Sequence, residues 1–268
     1  MRADQLLVTR QLASSRSQAQ RLISGGLQWR SGEQWKVVGK NGDEIPVDAE
    51  LRLHDDAEAR YVSRGGLKLE AALRQIGLSV AGLACLDVGQ STGGFTDCLL
   101  QRGAASVVGV DVGSAQLHPR LRQDSRVLCI EKVNARSLIA ADLIAAYADS
   151  TGASGQFDTK DGATCEFVPE FDLIVADLSF ISQTLVLPAI VPLLKSNGTL
   201  LTLVKPQFEL QPGQVGKGGI VKDVSFYPLI EQRLRAACVA QGLKVTAWFE
   251  SPITGGDGNR EFFIAARK

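Results

Sequence analysis

Residues 83–94 read LACLDVGQSTGG. An apolar run leads straight into a turn of small residues, and a helical stretch opens near Phe95. The run has the length of a buried strand, so the stretch predicts a strand–turn–helix junction. Gly89, Gly93 and Gly94 lack the Cβ that would keep a ligand from the backbone. Many strand–helix turns use glycine for geometry alone, so the meaning of this one depends on what lies downstream.

Downstream, strand and helix patterns alternate. Strand candidates are 83–88, 106–111, 127–131, 172–177, 199–205, 244–249 and 262–266. Helical stretches lie near 65–76, 94–102, 114–122, 137–147, 182–195 and 225–241. The alternation predicts an α/β, Rossmann-like domain with a doubly wound, mainly parallel sheet. Residues 148–166 break the pattern; they are glycine-rich and read as an exposed surface insertion.

A ligand in such a sheet lies outside the carboxyl ends of the strands. Asp111 ends the second strand, 24 residues after Asp87, where a carboxylate can accept both hydroxyls of a ribose. Asn134 follows the third strand, where an adenine edge would lie. The turn has no GK[ST], so it is not a nucleoside-triphosphate loop. It begins with an acid, Asp87, which disfavours a pyrophosphate and suits a cation. S-adenosyl-L-methionine carries an ammonium and a sulfonium and fits better than NAD. The expected cofactor contacts are Asp87, Gly89, Ser91, Thr92, Gly93, Gly94, Phe95, Asp111, Val112, Asn134 and Asp177.

Four charged residues stand at informative places. Lys68 lies in SRGGLKLE, and Asp177 ends the fourth strand in VADLSF. Lys205 ends the fifth strand in LVKPQFE, and Glu261 precedes the last strand in GNREFFIAA. Asp177 and Lys205 should stand side by side at the carboxyl edge, and Glu261 reaches that edge if the last strand is antiparallel. Any one of them alone would be an ordinary surface charge; beside a cofactor turn they form a candidate catalytic set.

The first 58 residues differ in character. Residues 3–12 predict a short helix, and Ser14 or Ser15 can cap a second helix that Gly25–Gly26 ends. LQWR, QWKVVG and ELRLHD follow as short strands. Residues 1–40 carry a net +5 and residues 41–58 a net −6, although the whole chain of 268 residues sums to zero. Such asymmetry can mark a surface that faces a polyanion. The unit resembles the small RNA-binding module named after the fourth small-subunit ribosomal protein. Arg10, Arg16 and Arg21, on or beside the helices, and Arg64, at the end of the join, are the candidate RNA contacts. The predicted domains are 1–58 and 65–268, joined by 59–64. The join includes Tyr61 and Val62, unlike a small polar tether; either Tyr61 packs against the large domain or it only covers a little apolar surface.

The five cysteines are scattered without a CxxC pair, which fits free thiols in a reducing compartment. The two histidines accompany no cysteine cluster, and no metal is expected. The N-terminus lacks the apolar core of a signal peptide. The longest apolar run, LVLPAIVPLL at 185–194, is too short to span a bilayer. A cytoplasmic location and no membrane partner are expected.

The motifs VSRGGLKLE, DVGQSTGGFTDCLLQRGA, VDVGSAQLHPRLRQD, NAR, DLSFIS, LVKPQFE, VGKGGIV and SPITGGDGNREFF run in order through nearly the whole chain. Together they resemble the TlyA family, whose larger domain is FtsJ-like. The resemblance implies a Lys-Asp-Lys-Glu tetrad, at Lys68, Asp177, Lys205 and Glu261, that methylates RNA ribose 2′-hydroxyls with S-adenosyl-L-methionine. It also implies cytidine in ribosomal RNA, or a ribosomal subunit, as substrate. The chain starts close to its first helix and ends just after its last strand, which favours the large subunit. The haemolysin label carried by relatives offers a cytolysin as the competing reading, and a non-catalytic RNA-binding assembly factor is another.

Overall fold

In the computed structural model the described residues are 1–13, 16–24, 26–52, 60–151, 156–158, 164–255 and 258–268. They form two compact units, Met1–Leu67 and Lys68–Lys268.

The first unit holds helices α1 (Ala3–Thr9) and α2 (Arg16–Ser24) and strands β1 (Gln28–Ser31), β2 (Gln34–Val37) and β3 (Leu51–Arg52). The strands form an antiparallel sheet ordered β2-β1-β3. Ala19, Leu22 and Ile23 of α2 recur at helical spacing and meet Leu6 and Leu7 of α1 in one buried cluster. α1 is shorter than expected because Gln11 turns into the left-handed region (φ 58°). Gly26 (φ 97°) follows α2 as the expected left-handed stop. Ser14, Ser15, Gly25 and the end of the third predicted strand lie outside the described residues.

Helix α3 (Gly65–Gln75) runs across the division and opens the second unit. There follow β4 (Ala84–Val88), α4 (Gly94–Gln101), β5 (Ser106–Asp111), α5 (Pro119–Arg122), β6 (Val127–Glu131) and α6 (Ala140–Thr151). Next come β7 (Gln156–Asp158), β8 (Thr164–Glu166), β9 (Phe171–Asp177), α7 (Gln183–Ile190) and β10 (Leu194–Val204). The chain closes with α8 (Pro206–Glu209), α9 (Phe226–Ala240), β11 (Lys244–Glu250) and β12 (Phe262–Arg267).

Seven strands form the main sheet in the order β11-β12-β10-β9-β4-β5-β6. The pairings from β10 through β9, β4 and β5 to β6 are parallel, whereas β12 is antiparallel to both β10 and β11. Central strands buried on both faces read as continuous apolar runs, which is why they were visible in the sequence. Helices cover them: Val186, Leu187 and Ile190 of α7 and Ile230, Leu234 and Cys238 of α9 join the core.

Three expectations are corrected. Residues 148–166 are not unpatterned: α6 continues to Thr151, and β7 pairs with β8 as an antiparallel hairpin. The helix expected over 114–122 shrinks to α5, because Ala115 is left-handed (φ 58°) and Pro119 sets the first turn. The helix expected over 182–195 ends at Ile190, where Pro192 allows only a 3₁₀ turn, Val191–Leu193.

Candidate active site

The strand order reverses between β4 and β9, and the crevice outside their carboxyl ends holds a cavity of about 440 Å³. That volume lies within the range of ~300–1,000 Å³ common for small-ligand sites. Its walls include Gly89, Ser91, Asp111, Val112, Asn134 and Asp177, all expected from the sequence. A Cβ at Gly89 (φ 84°) would stand 2.6 Å from the Asp177 carbonyl oxygen, so only glycine lets the two strand ends approach.

Asp111 fastens the turn. Its Oδ2 accepts from Ser91 N at 2.7 Å and its Oδ1 from Gly113 N at 2.7 Å. The Asn134 side chain accepts from Arg136 N at 3.0 Å. Each carboxylate oxygen has lone pairs to spare, so Asp111 can accept further bonds from a ligand.

Other expected contacts do not line the cavity. Asp87 is wholly buried, and its Oδ2 accepts from Thr96 N at 3.0 Å and Thr96 Oγ1 at 2.7 Å. It ties the strand to the first turn of α4. Burial pushes its carboxyl up to about 7, while the Thr96 bonds act to lower it. A Cβ at Gly93 would meet Leu121 Cδ1 at 2.4 Å and Leu117 Cδ1 at 2.7 Å, so this glycine serves packing against α5. The Thr92 carbonyl accepts from His118 N, Gly94 is buried in α4, and Phe95 stacks on Phe263. The cavity also takes in Gln116, Val133, Ser179, Phe180 and Ile181, which the sequence reading missed. The signal for the last three was present, since DLSFIS continues directly from a strand end.

Lys205 and Asp177 form an ion pair at 2.7 Å, and Lys205 Nζ also donates to Ser179 Oγ at 2.9 Å. Lys68 Nζ donates to Glu261 Oε2 at 2.5 Å in a buried pair. Burial raises the Glu261 carboxyl, against the lowering pull of Lys68 and Lys205 and with a small push from Asp177. Glu261 is therefore within electrostatic reach of the other three. The antiparallel β12 brings Glu261 to this edge. Phe180, 90% exposed with φ 63°, stands beside them and packs on Phe208 at 4.9 Å between ring centres.

A larger cavity, about 770 Å³, opens at the amino ends of the strands near Ala84, Ser106, Val127 and Phe171. None of the four charged residues lines it, and open sheets take ligands at the opposite edge, so the smaller cavity is the candidate site. Among the described residues no cluster of three or more His, Cys, Asp or Glu could hold a metal. Among them, too, no helix is long and apolar enough to cross a membrane.

In the first unit Arg10 donates to the Ala49 carbonyl at 2.6 Å and to the Val47 carbonyl. Arg16 pairs with buried Asp4 at 3.2 Å, beside Arg2, which bonds both Asp4 oxygens at 3.0 Å. These arginines serve the unit's own fold before any partner. The Arg21 side chain lies outside the described residues, and Arg64 is half-buried ahead of α3.

Residues 61–268 match the family model of FtsJ-like methyltransferases. The chain belongs to the FtsJ-like methyltransferase family. Within it, the chain falls in the TlyA group. It is 40% identical over 271 residues to the 16S/23S rRNA (cytidine-2′-O)-methyltransferase TlyA of Mycobacterium tuberculosis, covering 99% of this chain and 89% of the relative. Hemolysin A of Brachyspira hyodysenteriae is 37% identical over 267 residues, 98% of either chain. A solved structure from Streptococcus thermophilus, designated a hemolysin, matches with a TM-score of 0.70 at 37% identity, over 100% of this chain and 88% of that one. The FtsJ-like domain is thus an α/β methyltransferase fold, and the two charged pairs lie at the edge where its ligands bind.

Proposed function

We propose that this FtsJ-like enzyme methylates a ribose 2′-hydroxyl of ribosomal RNA, on cytidine, with S-adenosyl-L-methionine as donor. The observation that carries the proposal is the Lys205–Asp177 pair at the rim of the cavity, braced by the Lys68–Glu261 pair. The cavity suits the cofactor: carboxylates of Asp111 and Asp177 stand among apolar walls from Val110, Val133 and Ile181. Gly89, Ser91, Asp111, Val112, Asn134 and Asp177 would hold it. When bound, it supplies a methyl group on a sulfonium, and the transfer is an in-line displacement in which positioning matters most.

The residues then have distinct tasks. A lysine ammonium has three N–H donors. Lys205 turns one toward Ser179 and sits in an ion pair with Asp177, which leaves a donor for the substrate oxygen. Its charge favours an alkoxide at that oxygen. The hydroxyl proton leaves as the oxygen gains the methyl group, and the Asp177 carboxylate, paired with Lys205, is the group beside it that can accept that proton. Lys68 orients the hydroxyl, and Glu261 fixes Lys68. Phe180 offers an exposed face on which an unstacked base can lie. The small unit, through its basic first 40 residues, supplies RNA contacts outside the cavity.

The test is transfer of tritiated methyl from labelled cofactor to separated ribosomal subunits, with mapping of the modified ribose. Label on a cytidine 2′-oxygen, first sought in the large subunit, is the expected result. Cofactor binding without transfer to either subunit would point to a non-catalytic RNA-binding factor. Leakage of liposomes by nucleic-acid-free protein would point to the cytolysin reading.

A further inference from the structure

Glu209 is a buried carboxyl to which the methyl-transfer scheme gives no role. It ends α8, the short turn that Lys205 begins. Both of its oxygens are engaged: Oε1 accepts from Gln183 N at 2.8 Å, and Oε2 accepts from Ser182 Oγ at 2.6 Å. Its own carbonyl accepts from the Arg233 guanidinium of α9. Gln183, in turn, donates from Nε2 to the Leu203 carbonyl of β10 at 3.0 Å.

These bonds close a frame. One side is the segment from Asp177 to Gln183, and the other is the segment from Leu203 to Glu209. At one end Lys205 is ion-paired with Asp177 and bonds Ser179; at the other Glu209 bonds Ser182 and Gln183. Between them Phe180 packs on Phe208 with its backbone held at φ 63°, a conformation that a bulky residue avoids unless its surroundings impose it. Capping α7 does not require Glu209, because Ser182 already accepts from Thr184 N at 3.2 Å. A buried carboxylate is costly unless its bonds are well made, so a simple cap is a poor reason to keep one here.

We propose that Glu209 is a positioning residue that locks the Ser179–Phe180 segment against the Lys205 turn, and so sets where the reacting hydroxyl and its base are presented. Glu209 touches neither the cavity nor the four charged residues; it acts through Ser182 and the Gln183 amide. The inference rests on the methyl-transfer reading for its kinetic consequence and on geometry alone for its structural one.

Two variants test it in the full chain. Glu209→Gln keeps the size but offers one acceptor in place of two, and Ser182→Ala removes the Ser182–Glu209 bond, together with the cap on Thr184 N, in case the first variant folds poorly. Amide exchange is measured over residues 178–183, together with turnover, RNA KM, cofactor affinity and Tm. Exchange in that segment should quicken in both variants while the other strands stay protected. Turnover should fall at least about tenfold with cofactor affinity within about twofold, because a group that acts only in the transition state lowers turnover rather than binding. The double variant should be no slower than the worse single one, since both cut one linkage. Unchanged exchange over 178–183 overturns the inference, whatever the activity. So does a lower Tm with parental turnover, which would leave Glu209 only structural. Parental protein that transfers no methyl group would instead refute the functional reading, with the exchange result still deciding whether Glu209 holds the segment.

Discussion

At the scale of single residues, burial decides what a charge can do. Asp87 has no exposed surface, and its carboxyl is pushed from 3.8 up to about 7. The folded state therefore holds the proton more tightly than the unfolded chain does. The stabilisation is complete below about pH 4 and is lost as the pH rises through 7, at up to roughly 1.4 kcal/mol per unit. Asp87→Asn cannot ionise, so it should gain stability relative to the parent between pH 5 and pH 8. Urea unfolding of both proteins at the two pH values checks this; equal differences would show that Asp87 stays charged. Lys205 is the opposite case, a charge kept at the rim with its bonds partly open. Lys205→Ala should lower turnover by about a hundredfold or more while calorimetric cofactor affinity barely moves. Normal turnover would remove it from the chemistry.

At the scale of elements, the turn after β4 separates two uses of glycine. Gly89 allows the approach of Asp177, and Gly93 makes room for Leu117 and Leu121. Gly93→Val should lower stability by about 1–3 kcal/mol through overpacking, with more from the strained φ. Asp111→Ala should instead weaken cofactor binding by about 1–3 kcal/mol, since it removes the acceptor for Ser91 and Gly113 as well as for the ligand. Thermal melts and calorimetry on both variants separate the effects; the reverse pattern would mean that the two roles had been exchanged. The sequence made the strands legible, because parallel strands buried on both faces leave apolar runs. It also placed Asp177, Lys205 and Glu261, because strand ends point to the ligand edge. It could not tell Gly89 from Gly93, since their neighbours lie far along the chain. The β7–β8 hairpin escaped notice because each strand is three residues long and shows no alternation.

At the scale of the whole molecule, a +5 charge over residues 1–40 suggested RNA-facing arginines, yet Arg10 and Arg16 have partners within their own unit. Those partners, the Val47 and Ala49 carbonyls and Asp4, could not be read from charge spacing. Arg10→Ala should lower the Tm of the first unit, whereas Arg16→Ala, with more than half its side chain exposed, should reduce the salt slope of RNA binding by about 1. Parallel slopes for Arg16→Ala and parent would confine it to Asp4. The segment just ahead of Lys68, within the first unit, carries a different lesson. Tyr61 and Val62 are buried, and a Cβ at Gly66 would stand only 2.4 Å from Tyr61 Cγ. The ring thus sits directly on the backbone at the start of the helix that bears Lys68. Anyone exchanging the N-terminal segment between relatives would need to splice ahead of Arg60, so that Tyr61 travels with Gly66. A seam placed between them would pair a foreign ring with a seat shaped for this one, and an inserted spacer there would leave the seat empty.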